Sequence, residues 1–270
     1  VPSITKRFFC STLLLSALLA AGAALGEATA APLEGGVEDT WVPPNRLPLN
    51  QWKDSVSPKL QPGLKWTDTL LPQPYTEDFW LPIPSWLAGV WHTEQASFIG
   101  GSGKRFGESS PYLSRHDDSF GYQRDKNGGI WHLVRYPFVS VTQADNNTSY
   151  FIDFTVSGNA KNSFHINLDA DDIEVIVSKP DQKIQEVKHR HDSASWIKIG
   201  TSVSVDDLMT VNGAASHNGT IRTQPTQVGA FKRIDKMSDG YDVRASFHRF
   251  LVNSGKSDLI PADSASKVIK

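Results

Sequence analysis

Eight histidines and a single cysteine are the chain's whole stock of imidazole and thiol metal ligands. His189 and His191 stand two apart, so on a strand they share a face with Val187, roughly 6–7 Å from each other. Zinc normally takes three or four protein ligands, and this pair offers two. Asp192 falls on the opposite face, and Lys188 and Arg190 repel a cation, so a solvated strand end is expected and no metal. Asp169, Asp171 and Asp172 suggest a calcium loop but lack its glycine and distal glutamate, and are expected in a turn. The run Gly100 to Lys104 looks like a phosphate loop, yet Phe98 stands where its first glycine belongs and Arg105 where Ser or Thr should follow the lysine. A late histidine, His248, is a formal haem ligand. Strand alternation sets it outward with Arg244 and Ser246, so no haem or other cofactor is expected. No Gly-x-Ser-x-Gly elbow occurs, and no catalytic residue is assigned.

The elements that would position any such chemistry begin with a presequence. Lys6 and Arg7, the apolar run Phe8 to Leu25, and Ala28-Thr29-Ala30 have the form of a secretory signal cleaved before Ala31. Residues 1–30 are therefore expected to be removed, leaving an exported protein, periplasmic or secreted, without a membrane span; an uncleaved membrane anchor is the alternative. Cys10 lies within that run, so thiol catalysis and disulfides are excluded from the mature chain. A net charge of -2 and a pI near 6.5 argue against nucleic acid or an anionic membrane surface as partner. Residues 31–79 combine dense proline with Trp41, Trp52 and Trp66, and Trp80 follows directly. Proline forbids a long helix or internal strand there, while so many tryptophans do not suit a solvated linker. An extended arm lying along the main domain accommodates both, and a partner-docking tail is the alternative.

From residue 80 to 253 short alternating segments recur every eight to twelve residues, as in an all-β sandwich or barrel. Asp125-Lys126-Asn127-Gly128 is a hairpin turn. Val205 to Val211 is read as a short helix capped by Ser204, and Tyr241 to Val252 as the last strand. Gly100 to Asp118 is expected to be a long loop, and residues 254–270 a loose tail.

Trp86-Leu87-Ala88-Gly89-Val90-Trp91 resembles the opening signature of the lipocalins and their calycin relatives, a helical turn before Gly-x-Trp on the first barrel strand. The resemblance implies an antiparallel up-and-down barrel whose base is plugged by Trp91. It also implies a late arginine, Arg249 or Arg244, stacked on that tryptophan. A small hydrophobic ligand would occupy the cup, touched by Phe106 and Tyr112 from the loop and by Tyr150 and Phe154 from a strand. The expected function is thus an exported ligand-binding protein. An assembly protein docking on an exported partner through its Trp-rich arm, and a barrel isomerase or hydrolase, are the alternatives.

Overall fold

The structure is a computed structural model and describes residues 46–100, 109–162, 165–200, 202–211, 219–223 and 225–262. Helix α1 (Leu49–Ser55) and two 3₁₀ turns (Ser57–Lys59, Asp68–Leu70) precede the strands. These are β1 (Glu77–Ile83), β2 (Gly89–Gly100), β3 (Ser109–Phe120), β4 (Gln123–Arg124), β5 (Ile130–Tyr136) and β6 (Phe138–Gln143). There follow β7 (Asn147–Asn162), β8 (His165–Ser178), β9 (Ile184–Ile199), β10 (Ser202–Val211), β11 (Gly219–Thr223) and β12 (Thr226–Gly229). Helix α2 (Val243–Asn253) and a final 3₁₀ turn (Ser257–Leu259) complete the order.

Every pairing is antiparallel. Nine strands form one sheet, curled into a half-barrel. Its backbone is the meander β6-β7-β8-β9-β10-β11. Strand β2 receives β11 and β12 on one edge, at Ala96–Gly100 and Val90–His92, and β3 on the other. The spatial order therefore follows chain order around the curl, from β2 and β3 through β6 to β11 and back to β2. Among the described residues β3 and β6 pair on one side only, so the curl is open between them. The chain crosses this opening through a small second sheet, β1-β5-β4. Strand β3 leads to β4 past Gly121 (φ +87), and β5 leads to β6 across the cis Tyr136–Pro137 bond.

Alternation along β1 divides the interior. Leu81 and Ile83 join Trp91, Phe120, Ile130, Ile166, Leu168 and Trp196 in a cluster between the two sheets. Trp80, from the other face, joins Trp131, Leu133 and the buried side of α2. A third cluster lies on the outer face of β7, β8 and β9. There Leu49, Trp52, Leu60 and Trp66 cover Ile152, Ile173, Val175 and Val177. Proline is tolerated in β1 because that strand pairs on one side only, which spares Pro82 a donor's role.

Several expectations need correction. Residues 205–211 are not a helix but part of β10, in keeping with the β-branched Val203, Val205, Thr210 and Val211. The expected strand Tyr241 to Val252 is instead helix α2. Its Asp242 carboxylate accepts from the Ala245 N–H (2.8 Å), and Val243, Phe247 and Leu251, four apart, are each 0% exposed. Asp169, Asp171 and Asp172 lie inside β8, not in a turn. The loop after β2 is shorter than Gly100 to Asp118, since β3 begins at Ser109; residues 101–108 lie outside the described residues. Ahead of β1 the chain is not simply extended, because Leu49 and Trp52, three apart, turn the buried side of α1 inward. The presequence, Cys10 and Trp41 lie outside the described residues. Among those described, no helix is long and apolar enough to cross a membrane.

Candidate functional site

Cross-strand partners share a face, so the β8–β9 register spells out the inner wall of the half-barrel. From the Trp91 end it reads Ile166 opposite Trp196, Leu168 opposite Ala194, Ala170 opposite Asp192, Asp172 opposite Arg190, and Glu174 opposite Lys188. A bulge between Asp153 and Thr155 puts Asp153 beside Asp172 and Val156 beside Ala170 on the same wall. One end of the wall is therefore apolar and the other ionic, with small side chains at Gly158, Ala170 and Ala194 near the change.

The apolar end is floored by Trp91, 2% exposed, whose indole N–H donates to the Leu87 carbonyl at 2.7 Å. A hydrogen-bonded turn from Pro84 to Leu87 brings that carbonyl round. Gly89 is required between them. Its φ is +129, and a Cβ there would stand 2.3 Å from the Gly229 carbonyl on β12. Phe120 packs edge-on against Trp196 with centroids 4.4 Å apart. His132 lies between Phe120 and Tyr122, and its Nδ1 accepts from the Gly121 N–H (3.2 Å). Burial lowers its pKa to about 3, so it is a neutral core histidine.

The ionic end centres on Arg190. Its Nη2 donates to Asp172 Oδ2 and to Asp192 Oδ2, each at 3.2 Å, while Nε lies 2.8 Å from Asp172 Oδ1 at an angle too poor for a hydrogen bond. Glu174 Oε2 is 3.9 Å from Arg190 Nη1 and 3.5 Å from Lys188 Nζ. Asp172 is 0% exposed, Arg190 4% and Asp192 5%. The Arg190 guanidinium also lies 5.1 Å from the Phe151 ring centre. Burial pushes the Asp172 carboxyl well above the usual carboxylate range against the pull of Arg190, with Asp153 and Asp192 pushing further up. Burial likewise raises Asp192, opposed by Arg190. A carboxyl that keeps its proton beside a carboxylate can donate and accept a proton, the elementary equipment of acid–base chemistry. The outer face opposite is a solvated polar ladder: His191 to Asp171 (2.8 Å), Ser193 to Asp169 (2.5 Å) and Ser195 to Asn167 (2.9 Å).

A second polar group joins α2 to the small sheet. Asp78 Oδ2 accepts from the Tyr241 hydroxyl and from the Ser246 hydroxyl (2.5 Å), and Ser246 Oγ accepts from Trp80 Nε1 (3.1 Å). Arg135 lies 3.6 Å from the Tyr241 ring centre and 4.6 Å from that of Tyr75, and donates to Asp239 (2.8 Å). Burial and Asp78 raise Tyr241 to about 12, so it remains a donor. These contacts fasten the helix and leave each group engaged with its neighbours.

Of the residues singled out from the sequence, Trp86, Gly89 and Trp91 stand together at the apolar floor, Trp86 half-buried against it. Arg249 is exposed on α2, whose buried side belongs to the cluster around Trp80 and not to that of Trp91. Tyr150 and Phe154 point to the outer wall, where Trp66 meets Tyr150 (4.5 Å between centroids) and Trp52 meets Phe154 (6.0 Å). Tyr112 lies on β3 in register with Ala96, and Phe106 is outside the described residues. His248 is on α2. Among the described residues no group of three or more His, Cys, Asp or Glu could hold a metal ion. The Arg190 cluster escaped the sequence reading because a turn at Asp169 severed β8. Nor could the pairing be counted back from the turn after Ser178, because a register shift between Ile176 and Val177 moves the partners along by one residue before Glu174 meets Lys188 and Asp172 meets Arg190. No protein-family model, curated protein or solved structure matches the chain.

Proposed function

We propose that this is an exported binding protein that holds a small, largely hydrophobic ligand against the inner wall of a calycin-like half-barrel. The observation that carries the reading is the apolar inner wall of the curled sheet, where Val156, Ile166, Leu168 and Trp196 join the cluster with Leu81 and Trp91 and only Gly158, Ala170 and Ala194 present little bulk. Ligand sites in proteins favour concave apolar surfaces with a few polar groups at the margin. The calycin relationship is supported by the cyclic up-and-down strand order and by Gly89-Val90-Trp91 at the start of the first strand of the curl. The N-terminal arm then acts as a brace, for Trp52 and Trp66 are 1% and 3% exposed against the chain's own sheet. That burial takes those two tryptophans away from a docking partner. Export rests on the presequence.

A saturable titration with an uncharged hydrophobic fluorescent probe tests the reading. One probe per chain is expected, with at least tenfold weaker binding in Ala194→Phe, which fills the wall. Binding that is absent, or indifferent to Ala194→Phe, overturns it. A second reading, an enzyme acting on the bound molecule, is favoured by the Asp172–Asp192 pair beside the same wall. Its test is chemical change in the retained molecule that Asp192→Asn abolishes.

A further inference from the structure

Two carboxyl groups and one guanidinium meet in the wall of the half-barrel with almost no contact with water. Asp172 and Asp192 come from neighbouring strands, and Arg190 stands between them as the cation both contact. A second cation on the same wall, Lys188, is engaged by Glu174 and Glu186 at 3.5 and 3.4 Å. One positive charge therefore faces two carboxyls, where an uncompensated buried charge is costly. Asp172 Oδ1 and Asp192 Oδ1 are buried without a hydrogen-bond donor, while the Oδ2 atoms of both carboxyls converge on the same Arg190 Nη2, each at 3.2 Å. Two buried carboxylates converging on one nitrogen repel each other, and a proton held by one of them relieves that repulsion.

We propose that Asp172 and Asp192 hold one shared proton beneath Arg190, and that this proton is a built-in lock on the β8–β9 pairing whose loss at higher pH loosens the half-barrel. Charged neighbours on every side fit that assignment. Asp153 on β7 and Glu174 on β8 add negative potential. On β9, Lys188 is held by Glu174, and His191 stands on the opposite face, paired to Asp171. On β10 the residue in register with Asp192 is Met209, and Asp207 follows opposite Ala194. The direction of the pH effect is fixed by linkage. Both carboxyls are raised in the folded protein, so the folded state binds more protons than the unfolded chain. Their contribution to stability is complete below the unfolded carboxylate range and fades as pH rises through the folded values. The device needs no ligand and stands apart from the binding proposal.

The test compares urea unfolding of the mature chain at a series of pH values from 4 to 9 with that of Asp172→Asn and Asp192→Asn. An amide has the shape of the protonated acid and cannot ionise. One linked proton changes the unfolding constant by about tenfold per pH unit within the titration range. Wild type should show that slope, with stability falling as pH rises, and each Asn variant should lose most of it. Equal slopes in all three proteins overturn the proposal. Because a variant can fail to fold, infrared spectroscopy of the wild type near neutral pH is the second measurement. A protonated-carboxyl C=O band that shifts in deuterium oxide and vanishes at high pH supports the lock. Its absence near neutral pH overturns it.

Discussion

Replacing Trp52 by alanine measures how far the segment before β1 belongs to the folded core. The side chain is 1% exposed, and its N–H donates to the Leu70 carbonyl at 2.7 Å. It packs with Leu49, Ile152, Ile173 and Val175, with its ring 6.0 Å from that of Phe154. Truncation removes roughly 150 Å² of buried apolar surface, worth about 4 kcal/mol at 25 cal/mol per Å². The lost hydrogen bond adds about 1 kcal/mol. Partial collapse of neighbouring side chains takes some of this back, so a net loss of about 3–5 kcal/mol is expected. Urea unfolding followed by far-ultraviolet circular dichroism gives the value, and an unchanged m shows that the comparison stays within one two-state transition. A loss below about 1 kcal/mol would mean that the segment folds against the sheet without stabilising it, and the brace would be refuted.

Three further outcomes follow from the geometry. Trp91→Ala should cost about 3–5 kcal/mol, whereas Arg249→Ala, exposed on α2, should stay within about 0.5 kcal/mol; comparable losses in urea unfolding would restore the arginine stack expected from the calycin pattern. Gly89→Ala, forced to φ +129 with its Cβ against the Gly229 carbonyl, should cost about 2–4 kcal/mol, and near-neutral melting would show that β12 yields easily. Tyr150→Ala should leave hydrophobic-probe affinity within about twofold while lowering stability by about 2–4 kcal/mol, since its ring lies on Trp66 at the outer wall; a probe affinity that collapses in a folded variant would place the ligand outside.

Much of the architecture was legible because period-two alternation marks a strand wherever its two faces meet different neighbours. Tyr150, Ile152 and Phe154 do share the outer wall, but Val156, next in the same alternation, is turned to the inner wall by the bulge after Asp153; Asp125 to Gly128 does make the turn between β4 and β5. Alternation failed where both faces carry mixed residues. In the segment ending Val243-Arg244-Ala245-Ser246-Phe247 it mimics a strand, yet the spacing of Val243, Phe247 and Leu251 and the Asp242 cap are helical signals of equal weight. Tertiary burial decided between them, since the apolar side of α2 meets Trp80 and Trp131. The acidic stretch Asp169 to Asp172 looks like a turn by composition. It becomes a strand because β9 supplies Ser193, His191 and Arg190 as partners in register, a fact about a neighbour twenty residues away. For the same reason the ionic end of the wall could not be recognised until β8 was seen whole. Charged residues on a strand read as its wet face, and only the curl of the sheet puts Asp172 and Arg190 inside.

Native mass spectrometry of the mature protein, purified without detergent, bears most directly on the ligand-binding proposal. The proposal predicts a population heavier than the bare chain by one small molecule per chain, released on unfolding and recovered in the organic phase. Only the bare-chain mass, persisting after incubation with the hydrophobic probe, would contradict it.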